Sequence, residues 1–211
     1  MKILKSILLT FIAINIAVAQ NDPKAKKILD QMSAKYREVP AFSATFTQTL
    51  ENKDENINDS FTGTITVMGD KFKADVAGQV IVNNNETVWT YLKDANEVTI
   101  SNYDPEAGEM NPSKIYDAYK SGYKYLYMAG EGTAKYHIID LVPTNKDENF
   151  YKIRLKIDKQ SNLLNSWSVF DRAGNIFNYA VTDFKVRNDL SASAFNFDPS
   201  KYPNIEVLDF R

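Results

Sequence analysis

Cysteine is absent from this 211-residue chain, histidine occurs once and tryptophan twice. Without thiols there is no disulfide framework, zinc ribbon, iron–sulfur cluster or cysteine nucleophile. One histidine leaves a Ser-His-Asp triad a single candidate, His137, and it lies in the strand-like run Tyr136-His137-Ile138-Ile139-Asp140 with no nucleophile elbow beside it. A surplus of either charge is also missing: 25 Lys+Arg against 27 Asp+Glu give −2, which sets up no overall field for nucleic acid or an anionic membrane surface. Long apolar runs are confined to the first residues.

That start has a specific pattern. Lys2 and Lys5 precede an apolar stretch from Ser6 to Ile16, and Ala17-Val18-Ala19 supplies small residues at the cleavage spacing. This is the layout of a secretory signal peptide, residues 1–19, cut after Ala19. The stretch is well short of the roughly 20 residues a membrane-spanning helix needs. Cleavage leaves residues 20–211, one domain with 23 basic and 27 acidic side chains. No cysteine follows the apolar stretch, so the exported chain cannot be lipidated as a bacterial lipoprotein is.

What is present is period-two alternation. One helix comes first, with Asn21 or Asp22 as cap, Pro23 in the first turn, and Ile28, Leu29, Met32 and Tyr36 at helical spacing. Val39-Pro40 ends it. Phe42, Ala44, Phe46 and Leu50 then alternate with hydroxyl residues, as do Phe61, Gly63, Ile65 and Val67. Short runs follow at 72–76, 79–82, 87–92 and 98–101, joined by Gly-, Asn- and Asp-bearing turns that favour antiparallel hairpins. A helical insertion at Pro112–Lys120 and an ambiguous stretch at 123–128 interrupt them; strands resume at 136–142, 150–158, 163–170 and 176–186, and two extended runs, 195–197 and 205–210, close the chain. The expected fold is mainly β with a helical lid, an incomplete antiparallel barrel of about eleven strands. A sheet that broad leaves a cavity unless something plugs it.

Motifs for catalysis, metals and cofactors are weak, and none of the three is expected. Asp54–Asp59 resembles the start of a calcium loop but has Asp59 where glycine belongs and Ile65 where the closing glutamate belongs. Gly130–Lys135 lacks the phosphate-loop spacing. The 12 Tyr, 12 Phe and two Trp say more. Taking the apolar phase of each strand, the expected cavity wall is Phe46, Ile65 and Phe72; Val82, Trp89 and Tyr91; and Ile153, Leu155 and Trp167. Ile115, Tyr116 and Tyr119 are the expected lid.

Several segments in order also resemble a known family. They are Phe42-Ser43-Ala44-Thr45-Phe46-Thr47-Gln48-Thr49 after an amphipathic helix, Phe61 to Val67, Lys71-Phe72-Lys73, the stretch from Gln79 to Tyr91, Asp140-Leu141-Val142-Pro143, Asp171 to Asn175, and Phe195-Asn196-Phe197. Together they resemble LolA, the periplasmic outer-membrane lipoprotein carriers. The resemblance implies an unclosed eleven-stranded barrel, helices as a lid over an apolar interior, and a monomer that takes acylated lipoproteins from an inner-membrane release complex to an outer-membrane receptor. Where the family has V-K-R-P-x-x-F, this chain has Val67-Met68-Gly69-Asp70-Lys71-Phe72, without the lid-holding arginine. The other readings are a periplasmic lipid- or acyl-binding sensor or transport module, a lipid hydrolase resting on His137 or a carboxylate, and a protein with a fully packed interior.

Overall fold

The computed structural model describes residues 21–104 and 112–211, with side chains in the second stretch from Tyr116 onward. The expected export signal lies outside them.

Helix α1 runs Pro23–Arg37. Asp22 caps it, its Oδ1 accepting the backbone N–H of Lys24 at 2.8 Å and of Ala25 at 3.2 Å. The other oxygen of Asp22 accepts the Tyr127 N–H at 3.1 Å, so one carboxylate starts the helix and pins it to a strand. Burial raises the Asp22 pKa, but the three N–H donors and the Lys24 charge outweigh it and hold the carboxyl below its ordinary value. Ala25, Leu29 and Met32 are fully buried along one stripe, each of the larger two contributing roughly 1.5–3 kcal/mol.

Twelve strands follow: β1 Phe42–Asn52, β2 Ile57–Met68, β3 Lys71–Val76, β4 Gln79–Asn83, β5 Thr87–Leu92, β6 Glu97–Asn102, β7 Tyr123–Tyr127, β8 Tyr136–Pro143, β9 Phe150–Asp158, β10 Leu164–Asp171, β11 Ile176–Val186 and β12 Glu206–Asp209. They form one sheet in the order β12-β6-β5-β4-β3-β2-β1-β11-β10-β9-β8-β7, with β12 and β7 as free ends, so the barrel is open. The long pair β1 and β11 joins its two halves, Phe46 opposite Val181 and Leu50 opposite Phe177. Between β3 and β4, Ala77 and Gly78 both take positive φ, 49° and 78°, the hand that matches strand twist.

Two expectations change. The sheet has twelve strands, and the last runs parallel to β6, Glu206 opposite Glu97. After β11 the chain crosses the back of β4–β6 before pairing, and such a crossover, unlike a hairpin, permits parallel alignment. The expected strand at 195–197 belongs to that crossing: Phe195 ends a 3-10 turn, Ala192–Phe195. The stretch at 123–128 is β7, and Pro112–Lys120 is a 3-10 helix.

The two faces of the sheet are covered at opposite ends. On the inner face, α1 packs on β8 and β9, burying Ile139, Leu141, Ile153, Leu155 and Ile157. On the outer face, Phe195 and Phe197 from the C-terminal crossing bury Val80, Val82, Tyr91, Val98 and Ile100.

Candidate functional site

The inner face of β1–β5, with β10 and β11, is left open and encloses a cavity of about 630 Å³. Strand β1 contributes Phe42, Ala44 and Phe46, and β2 contributes Ile65. Across the next hairpins come Phe72, Ala74 and Val76, then Ile81 and Val88. Trp167, Val169, Tyr179, Val181 and Phe184 complete the wall from β10 and β11, with Tyr36 from α1 at one end. Gln79, Asn83 and Thr90 are its polar members on β4 and β5.

Gly63 makes room for this wall. It is the partner of Phe46 across β1 and β2, and a Cβ there would stand 2.8 Å from Phe46 Cζ, from the Asp75 carbonyl oxygen and from Val76 Cβ. Any side chain would expel the Phe46 ring or part the strands. Aromatic pairs stiffen the rest: Trp167 stacks on Tyr179 at 4.6 Å, and Phe42 on Phe184 at 5.0 Å. Tyr36 meets Phe42 edge-on at 5.7 Å, and its hydroxyl accepts the Leu164 N–H at 3.3 Å. Burial pushes the Tyr36 pKa up to about 12, so this hydroxyl keeps its proton.

The 3-10 helix at Pro112–Lys120 touches α1, β7 and β3, bridging the two sides of the cavity's Tyr36 end. Its Asp117 accepts the Ser33 hydroxyl at 2.5 Å and the Arg37 guanidinium at 2.8 Å, both from α1, and pairs with Lys120 at 2.6 Å. Burial raises the Asp117 pKa; the bonds from Lys120, Ser33 and Arg37 outweigh it and leave the carboxyl below its ordinary value. The Tyr119 hydroxyl donates to Asp30 at 2.7 Å, and Tyr116 stacks flat on Tyr36 at 4.8 Å. Thus polar ties and one ring stack hold this helix to α1.

Of the residues expected in the wall, Phe46, Ile65, Phe72 and Trp167 line the cavity. Val82, Trp89 and Tyr91 do not. They face the other side, where Val82 is 1% exposed and Tyr91 packs against Phe197 and Tyr202 at 5.4 and 4.6 Å. The reason is that β4 carries apolar residues on both faces, and the C-terminal crossing packs on the outer face of β4 and β5. Ile153 and Leu155 do lie on the inner face, Leu155 directly opposite Trp167, but α1 covers them and leaves them 1% and 2% exposed. Of the expected lid, Tyr116 and Tyr119 pack against α1 without lining the cavity, and the Ile115 side chain lies outside the described residues. Sequence reasoning missed Ile81, Val181 and Phe184. Their signal was register: each stands on the same face as Phe46 through the pairs Phe46–Val181, Ile65–Ala74 and Ala74–Ile81 or through β11.

The weaker motifs have ordinary surroundings. His137 Nδ1 lies 3.3 Å from the Tyr127 hydroxyl, and burial lowers its pKa. Asn52 Oδ1 accepts the N–H groups of Asp54 and Glu55, closing the β1–β2 turn. Among the described residues no three His, Asp or Glu side chains are grouped to hold a metal, and no helix is long and apolar enough to cross a membrane.

Comparison with known proteins gives a consistent result. The family model described as outer membrane lipoprotein carrier protein LolA matches residues 37–198. A protein of Legionella pneumophila named outer-membrane lipoprotein carrier protein is 24% identical over 174 residues, 81% of this chain and 85% of that one. One of the same name from Coxiella burnetii is 25% identical over 192 residues, 88% of this chain and 87% of that one. Among solved structures, a conserved protein of Thermus thermophilus shares the fold with a TM-score of 0.56 at 15% identity, over 88% of this chain and 99% of that one.

Proposed function

The chain belongs to the LolA family of outer membrane lipoprotein carrier proteins, and we propose that it is a periplasmic carrier that shields the acyl chains of lipoproteins between the inner and the outer membrane. Residues 1–19 act as its export signal, cut after Ala19. Its partners under this reading are acylated lipoproteins, an inner-membrane release complex and an outer-membrane receptor.

The observation that carries the reading is the open apolar cavity of about 630 Å³. Each methylene exposed to water costs about 0.8 kcal/mol, so a long acyl chain needs an apolar container to cross an aqueous compartment. A carrier must also let go. The 3-10 helix suits that need, because its ties to α1 are polar and part-exposed, and water can replace them as they open. Entry needs the open arrangement, and acyl chains that make more contacts with the closed one shift the population towards closure once they are inside.

The test is release of radiolabelled lipoproteins from inner-membrane vesicles into a soluble complex with the purified protein. Recovery of a one-to-one complex is the expected result, and a membrane pellet that keeps its label overturns the carrier reading. Ile81→Trp, which fills the cavity from β4, should abolish recovery while the protein stays folded. Val82→Ala, the next residue on the outer face, should leave recovery intact.

A further inference from the structure

The near-zero charge of the whole chain conceals an uneven distribution. Among the described residues the C-terminal crossing covers the outer face of β4–β6 and reaches β3, whereas the outer face of β7–β10 carries several exposed side chains. Register arranges its side chains in rows: Lys124 opposite Val142, Leu126 opposite Asp140, Asp140 opposite Arg154, and Lys152 opposite Phe170. Leu126, Val142 and Tyr151, at 55%, 44% and 46% exposure, are three of the large hydrophobic side chains that stand out from the protein, and they gather here. Tyr151 reaches this face as the extra residue of a bulge, its ring 6.2 Å from that of Phe170.

Lysines are set among these apolar groups. The Lys152 ammonium sits 4.0 Å above the Phe170 ring, Lys156 lies 4.3 Å above Tyr136, and Lys124 is exposed beside Val142 and Leu126. The acid within the face is already engaged: Asp140 takes two bonds from Arg154, at 2.6 and 2.7 Å, and Lys152 approaches it only to 4.0 Å. Glu131 binds the same guanidinium from the rim. The face therefore presents positive charge interleaved with aliphatic and aromatic groups.

We propose that this outer face of β7–β10 docks on the surface of an anionic phospholipid bilayer. The core of a protein interface is depleted of charge, whereas here a lysine stands beside each apolar residue. A bilayer surface accepts that mixture, because lysine stems lie along the apolar layer while their ammonium groups reach the lipid phosphates. Neither the lysines nor the exposed hydrophobics alone make a firm attachment; two weak signals on one face do. The assignment rests on this surface and not on the cavity.

Flotation of the protein, purified as the cell exports it, with vesicles of phosphatidylglycerol and phosphatidylcholine tests the proposal against vesicles of phosphatidylcholine alone. Binding to the anionic vesicles only, reversed by high salt, is expected. Lys124→Glu with Lys152→Glu should weaken it by at least roughly thirtyfold, and Lys124→Gln with Lys152→Gln by roughly thirtyfold. Leu126→Ser with Val142→Ser should cost roughly tenfold. The cavity-filling Ile81→Trp should float as the parent does, which separates docking from lipid uptake and from any failure of the carrier reading. Equal binding to both vesicles, no binding to either, or binding indifferent to the lysine changes overturns the proposal. Loss of lipoprotein delivery in the lysine variants without vesicle binding by the parent would instead assign the face to an acidic protein.

Discussion

The two halves of the sheet are built from the same alternation and are covered on opposite sides. In β8 and β9 the inner residues Ile139, Leu141, Ile153 and Leu155 lie under α1, while the outer residues Lys152, Arg154 and Lys156 meet water. In β4 and β5 the outer residues Val80, Val82 and Tyr91 lie under Phe195 and Phe197, while the inner Ile81, Val88 and Thr90 face the cavity. The molecule thus buys a stable container by giving each half of the sheet one sealed face, and the inner face of β1–β5, with β10 and β11, is left open as the cavity wall. An apolar wall facing a void is unfavourable by itself, and the sealed faces offset it.

The comparison breaks most severely where a seal is removed. Phe195, fully buried, changed to Ala should lower unfolding free energy by about 3–5 kcal/mol in a denaturant titration. Leu155→Ala, under α1, should cost about 2–5 kcal/mol. Hydrogen exchange separates the two seals: the first variant should lose protection in β4–β6, the second in β8 and β9. Loss spread evenly over the sheet in both would mean that the halves are not independently sealed.

Gly63→Val acts on the open half. Its side chain enters the space held by Phe46, Val76 and the Asp75 carbonyl, so overpacking of about 1–3 kcal/mol is expected, together with loss of a fluorescent acyl probe from the cavity. If probe binding is unchanged, Phe46 is not part of the wall that matters. Asp22→Ala acts on the closed half, removing the cap of α1 and its tie to Tyr127. Roughly 1 kcal/mol of stability should go with it, read by thermal unfolding.

The smallest effect is that of acid on the 3-10 helix. The Asp117 carboxyl is held below its ordinary value of 3.8, so its bonds to Ser33 and Arg37 are fully formed above that value and are lost as pH falls through the depressed one. Exchange of the acyl probe should be flat from pH 7 to about pH 5 and accelerate only below about pH 4. Asp117→Asn should give the acid rate at neutral pH. Acceleration already at pH 6 in the parent would point to some other group.

The strands themselves were legible because one polar and one apolar face give a clean period of two, as in Lys152–Asp158 and in the threonine-bearing β1 and β2. The helix start was legible from Asp22-Pro23. In β4 and β5 that clarity failed, since Val80, Ile81 and Val82 are consecutive and no alternation says which side is in. Trp89 and Tyr91 stand on the apolar phase of β5, and the C-terminal crossing claims that phase for the outer core. Ile153 and Leu155 had the right face and the wrong neighbour, because no local pattern in β9 records where α1 comes to rest.

The sequence by itself determined one amphipathic helix, a sheet too broad to fill its own interior, and the family that this order of segments resembles. Which half of the inner face α1 seals, which outer face the C-terminal crossing seals, and therefore where the cavity and the lysine-bearing face lie, only the tertiary structure decided. Alternation along a strand separates two faces but does not label them, and the label comes from contacts with segments more than a hundred residues away, such as Tyr36 with Leu164.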